Sequence, residues 1–186
     1  MRLSNLPALL TTTLAIALLS VAARAAPPPS PVVITPINDR DFRERVLVPH
    51  AGKVVLVNFW ATYCLPCLEE LPGLIKLEHK LAKRGVDFVY VNTDPPGSEE
   101  RVRAVLAKRA VALAQTFVVT NEDPQPFIDT VDPSWAGQVP YQVLYGRDGA
   151  RLKSLAGQRP LAEIELAILA ALGPEAPRAA EPTSAP

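Results

Sequence analysis

Val54-Val55-Leu56-Val57-Asn58-Phe59-Trp60-Ala61-Thr62-Tyr63-Cys64-Leu65-Pro66-Cys67 is the stretch whose reading decides the fold. Its first six residues form an apolar run rich in β-branched side chains, the pattern of a buried strand. Downstream, Leu68 to Arg84 carries Leu71, Leu74, Ile75 and Leu81 at helical spacing. The two cysteines, the only ones in the chain, therefore fall at a strand-to-helix turn, Cys64 just outside the helix and Cys67 in its first turn. A sulfur there meets unpaired backbone N–H groups and the positive end of the helix dipole, which favour thiolate over thiol. Thiolate is the form that attacks disulfides. Pro66 is tolerated because its missing N–H would have had no partner in the first turn.

Other chemistries fit the pair less well. A tetrahedral zinc site needs four ligands, and only His50 and His79 are available to join the cysteines. His79 lies twelve residues beyond Cys67 on the same helix, about 18 Å away by helical rise, so no metal is expected. A purely structural disulfide across two intervening residues closes too small a loop to restrict the unfolded chain much.

Asn58-Phe59-Trp60-Ala61-Thr62-Tyr63-Cys64-x-Pro66-Cys67, then Glu70-Leu71-Pro72, and later Val139-Pro140 before a strand, resemble the thioredoxin superfamily, in particular its exported TlpA/ResA-like branch. The resemblance covers about residues 32–172. It implies an α/β thioredoxin-like fold, a central mixed β-sheet flanked by helices on both faces. It also implies thiol–disulfide exchange by Cys64 and Cys67, with no cofactor beyond the redox-active disulfide they form. In the family the proline matching Pro140 follows a cis peptide bond, and Val139 and Pro140 present the partner chain. Trp60 and Tyr63 are expected to shape the approach to the sulfurs. Thioredoxin has a buried aspartate where Asn58 stands, so Glu70 is the candidate to manage protons instead. A glutamate that merely complements the helix dipole is the competing reading. Where the family often has threonines after the proline, Tyr141-Gln142 stand here.

The rest of the chain is consistent with one domain. It has 186 residues, 48% of them apolar, with 19 acidic and 19 basic side chains. That balance gives no sign of a nucleic-acid partner. Arg2, the Leu/Ala-rich stretch 6–23 and Ala23-Arg24-Ala25 read as a signal peptide over 1–25, with an uncleaved N-terminal anchor as the alternative. Either places the folded part outside the cytoplasm, in the periplasm on this reading, where disulfides persist. Residues 26–31 read as a Pro-rich spacer, 32–172 as the thioredoxin-like domain and 173–186 as a disordered Ala/Pro-rich tail.

Between these limits the expected elements are a strand at 32–35, a helix at 39–47 and a strand at 86–92. A Ser98-capped helix to about 110 follows, then an extended segment at 115–119. Residues 121–137 form an insertion with a short helix at 126–131, in which Trp135 reads either as an exposed contact or as a plug for the domain edge. An edge strand at 151–155 and a helix opened by Pro160 complete the domain. The expected partners are disulfide-containing exported proteins, with a membrane thiol donor returning electrons; apocytochromes and copper-centre proteins are the partners the resemblance suggests. An oxidant that makes disulfides, a non-catalytic binding module or metallochaperone, and a peroxidase remain as alternatives.

Overall fold

The computed structural model describes residues 31–173; the expected signal peptide, most of the spacer and the tail lie outside the described residues. Six strands form one mixed sheet in the order β1-β4-β3-β2-β5-β6. These are β1 (Val33–Ile37), β2 (Val54–Trp60), β3 (Val86–Asn92), β4 (Gln115–Val119), β5 (Tyr141–Tyr145) and β6 (Arg151–Ala156). The first four in that order run parallel, and β5 and β6 add two antiparallel neighbours. Parallel pairing requires crossovers, supplied by α1 (Leu65–Leu81) between β2 and β3 and α2 (Glu99–Lys108) between β3 and β4. The remaining helices are α3 (Gln125–Val131) and α4 (Leu161–Leu172).

All seven residues of β2 are buried, as expected of a strand covered on both faces. Its alternation divides the core in two. Val54, Leu56 and Trp60 join Leu68, Leu71, Leu74 and Leu77 of α1, Val102 and Leu106 of α2, and Ile164 and Ile168 of α4. Val55, Val57 and Phe59 face Phe42, Val46 and the α3 residues Phe127, Ile128 and Val131. Helices thus cover both faces.

Several boundaries differ from the sequence reading. β1 runs through Pro36 rather than ending at Thr35, because it is an edge strand where a missing N–H leaves no ladder bond broken. The helix expected over 39–47 is shorter: Asn38 Oδ1 accepts the N–H groups of Arg40 and Asp41 at 2.9 and 3.1 Å, an Asx turn that delays helical geometry. A wide helical turn at Arg43–Leu47 and a tighter one at Val48–His50 follow, and Phe42, Val46 and Leu47 are buried as expected. Ser98 precedes α2 but does not cap it through its side chain; its Oγ donates to the Pro95 carbonyl at 2.6 Å.

Candidate active site

α1 begins at the carboxyl end of β2, and Cys64 occupies its N-cap position, where a side-chain acceptor meets an unpaired N–H. Here the acceptor is sulfur: the Cys67 N–H donates to Cys64 Sγ at 3.2 Å. Cys64 and Cys67 are joined as a disulfide. Cys64 is 6% exposed and Cys67 2%, so the first cysteine is the more open residue of the two. The turn before them is held from β3, since Thr93 N–H donates to the Trp60 carbonyl at 2.8 Å and Asp94 Oδ1 accepts the Thr62 N–H at 3.0 Å. Asp94 is a support the sequence reading missed; a lone aspartate in a polar turn carries no signal of such a bond.

Pro140 reaches the same end of the sheet through strand pairing. β5 lies antiparallel to β2 with Phe59 opposite Tyr141, so the register extended by one sets Pro140 opposite Trp60. The Val139–Pro140 peptide is cis. Val139 is half-buried and packs against the cluster that contains both cysteines. The Pro140 carbonyl accepts the Gly157 N–H at 2.9 Å, which brings the 157–160 loop alongside.

Trp60 corrects an expectation. It is fully buried on the α1 side of the sheet, and its Nε1–H donates to Thr116 Oγ1 at 3.2 Å. The side-chain alternation of β2 turns it into the core, so it cannot touch an approaching protein. Tyr63, 70% exposed, is on the surface, as is Leu65. Beside Tyr63 opens a groove of about 560 Å³, bordered by Asp94, Pro95, Glu122, Phe127 and Trp135.

Glu70 is buried and sits in the second turn of α1, on the face of Cys67, three positions away. Burial pushes its carboxyl up from the ordinary value; the Arg159 backbone N–H and the Gln142 amide oppose this by favouring the charged form. Gln142 Nε2 donates to Glu70 Oε2 at 2.9 Å and to Asn58 Oδ1 at 3.2 Å. A surface complement to the helix dipole would be exposed in the first turn; Glu70 is neither. Gln142 was not foreseen as part of the site. The available signal was one polar residue in the middle of each of two apolar strands, Asn58 and Gln142, which prove to be directly opposed.

Trp135 is a plug. It stacks on Tyr141 with ring centroids 4.8 Å apart and an interplanar angle of 7°, lies 4.8 Å from Phe59, and donates from Nε1 to the Gln138 carbonyl at 2.8 Å.

A thioredoxin fold with a disulfide at the N-terminus of the helix after its central strand defines the class of protein. A thioredoxin-like family model matches residues 52–149, just over half of the chain, and the chain belongs to that family. It is 38% identical over 60 residues to the thiol-disulfide oxidoreductase ResA of Geobacillus thermodenitrificans, covering 32% of this chain and 34% of that one. It is 48% identical over 54 residues to the thioredoxin-like protein YneN of Bacillus subtilis, covering 28% and 31%. The chain thus spans about a third of the length of these two relatives. With ResA of Bacillus anthracis it shares 25% identity over 129 residues, 69% of either chain. Among solved structures, a Chlorobium tepidum protein provisionally named thiol:disulfide interchange protein DsbE superposes with a TM-score of 0.56 at 29% identity, covering 68% of this chain and 85% of that one.

Proposed function

We propose that this chain catalyses thiol–disulfide exchange and reduces disulfides in exported proteins. The observation that carries the reading is Cys64 Sγ at the N-cap of α1, accepting the Cys67 N–H within reach of a second sulfur. The same N–H stabilises negative charge on Cys64, which favours its thiolate as nucleophile.

In the reduced protein the Cys64 thiolate attacks one sulfur of a target disulfide. A Cys64–target bond forms, and the other target sulfur leaves as a thiolate and takes a proton. Cys67 then loses its proton to Glu70 and attacks Cys64 Sγ. The Cys64–Cys67 bond forms, the remaining target sulfur departs, and two electrons have passed to the target. Tyr63 borders the approach, while Val139 and Pro140 present the partner chain as an added extended strand. Relatives named thiol-disulfide oxidoreductase support this reading. The reading of residues 1–25 as an export signal supports a periplasmic setting, with electrons returned by a membrane thiol donor and with apocytochromes or copper-centre proteins as targets.

Replacing Cys64 with Ser is expected to abolish turnover. Replacing Cys67 with Ser should instead accumulate a covalent complex through Cys64, visible on non-reducing gels and by mass spectrometry. No covalent complex with any disulfide-containing substrate would overturn this order of events.

A further inference from the structure

Asn58, Glu70 and Gln142 meet in the otherwise apolar layer between α1 and the sheet, brought there by β2, α1 and β5. Gln142 is 0% exposed and spends both of its amide N–H groups, one on Glu70 Oε2 and one on Asn58 Oδ1. Its orientation follows from the Glu70 bond, since the reversed amide would set its oxygen against the ionised carboxylate. Glu70 Oε1 and Gln142 Oε1 are both buried without a hydrogen-bond partner. An apolar side chain at 142 would leave Glu70 Oε2 and Asn58 Oδ1 without these donors as well, so the glutamine is matched to a carboxylate buried beneath the cysteine pair.

We propose that Gln142, held in register by Asn58, is the positioning residue that keeps the Glu70 carboxylate available to take the Cys67 proton. The proposal rests on the proton-handling reading of Glu70 given above. In the mixed disulfide, the Cys67 thiol gives its proton to Glu70, and the thiolate so formed displaces the target sulfur from Cys64. The neutral acid left behind turns one previously unpartnered oxygen into a donor. Without the amide, the carboxylate would lie buried with no side-chain donor and would hold its proton to higher pH.

Among the described residues, no charged side chain besides the Cys67 thiol itself competes with Glu70 for the proton. α1 contributes Cys67, β2 the neutral Asn58 and β5 Gln142, while the 157–160 loop contributes the Arg159 backbone N–H. The Arg159 side chain is engaged by the Ala156 carbonyl and by Glu163 at the start of α4.

The test follows the lifetime of the mixed disulfide on Cys64 when reduced protein meets oxidised glutathione, read by acid quench and mass spectrometry from pH 5 to 9. Gln142→Met is expected to move the midpoint of its decay upward by roughly one pH unit, which makes the intermediate about tenfold longer-lived near pH 7. Asn58→Ala should shift the profile in the same sense by less, and carries the test should Gln142→Met fail to fold. Glu70→Gln should be slow throughout, and adding Gln142→Met to it should change nothing further. A folded Gln142→Met protein with the wild-type pH profile, beside a slow Glu70→Gln, overturns the role of Gln142 alone. A Glu70→Gln protein with the wild-type profile overturns the reading of Glu70, and this proposal with it.

Discussion

At Asp132, just beyond α3, donors from three places converge on a carboxylate that is 2% exposed. Ser134 bonds Oδ1 through its N–H and its hydroxyl at 2.9 and 2.7 Å, and the Arg151 guanidinium pairs with the same oxygen. Tyr141 and Ser154 donate their hydroxyls to Oδ2 at 2.8 and 2.6 Å. Burial alone would raise this carboxyl, but the Ser154, Ser134 and Tyr141 bonds outweigh it and hold the group far below the usual carboxylate range. A depressed folded-state pKa contributes stability above the unfolded value near 3.8, and that stability is lost as pH falls below it. Asp132→Asn is therefore expected to cost about 2 kcal/mol at pH 7 and to remove this part of the acid sensitivity. Urea melts at pH 3, 5 and 7 check both, and parallel curves for the two proteins across that range would contradict it. Because Tyr141 directly follows Pro140, this aspartate ties the end of the insertion to the strand that opens the site.

Among the elements, α1 carries the most chemistry and also a liability of its own. Pro72 lies in its interior and is exposed, so its missing N–H leaves the Leu68 carbonyl without its intrahelical donor. The helix nevertheless continues to Leu81, because Leu71, Leu74 and Leu77 bury its inner face. Gly85, with φ 78°, ends the following turn in the left-handed region that glycine adopts without strain. Replacing Pro72 with Ala removes no buried contact and is expected to stabilise the protein by about 1–3 kcal/mol, read as a higher midpoint in chemical denaturation. An unchanged or lowered midpoint would mean the proline is better accommodated here than in an ordinary helix. The helix itself was legible from residue spacing. The delayed helix after β1 was not, since one Asn38 side chain redirects two N–H groups away from it.

For the whole molecule, the sheet order matters because it brings segments distant in sequence to one end of the sheet. β2 delivers the cysteines, β3 delivers Asp94, and β5 delivers Pro140 and Gln142. The redox state then couples to global stability, since a strong oxidant of this fold has its reduced form stabilised. For the reductive role proposed here, the disulfide form should melt at least as high as the dithiol form. The Cys64–Cys67 potential should then lie at roughly −250 mV or lower. A reduced form that melts higher, with a potential near −120 mV, would instead make the protein an oxidant.

The thioredoxin-like fold class was implied by a family resemblance; read directly, the amino-acid sequence determined the strand-turn-helix around Cys64 and Cys67 and the place of Val139-Pro140 ahead of a strand. These are local signals: apolar period, helix-terminal residues and short spacings act within a turn or two of chain. Tertiary structure alone decided that Trp60 and Trp135 are core rather than contact surface. It also decided that Glu70 meets Gln142, 72 residues away, and that Asn58 meets the same amide across 84. Such contacts depend on strand register and on which face each alternating side chain takes, and neither is fixed until the sheet assembles.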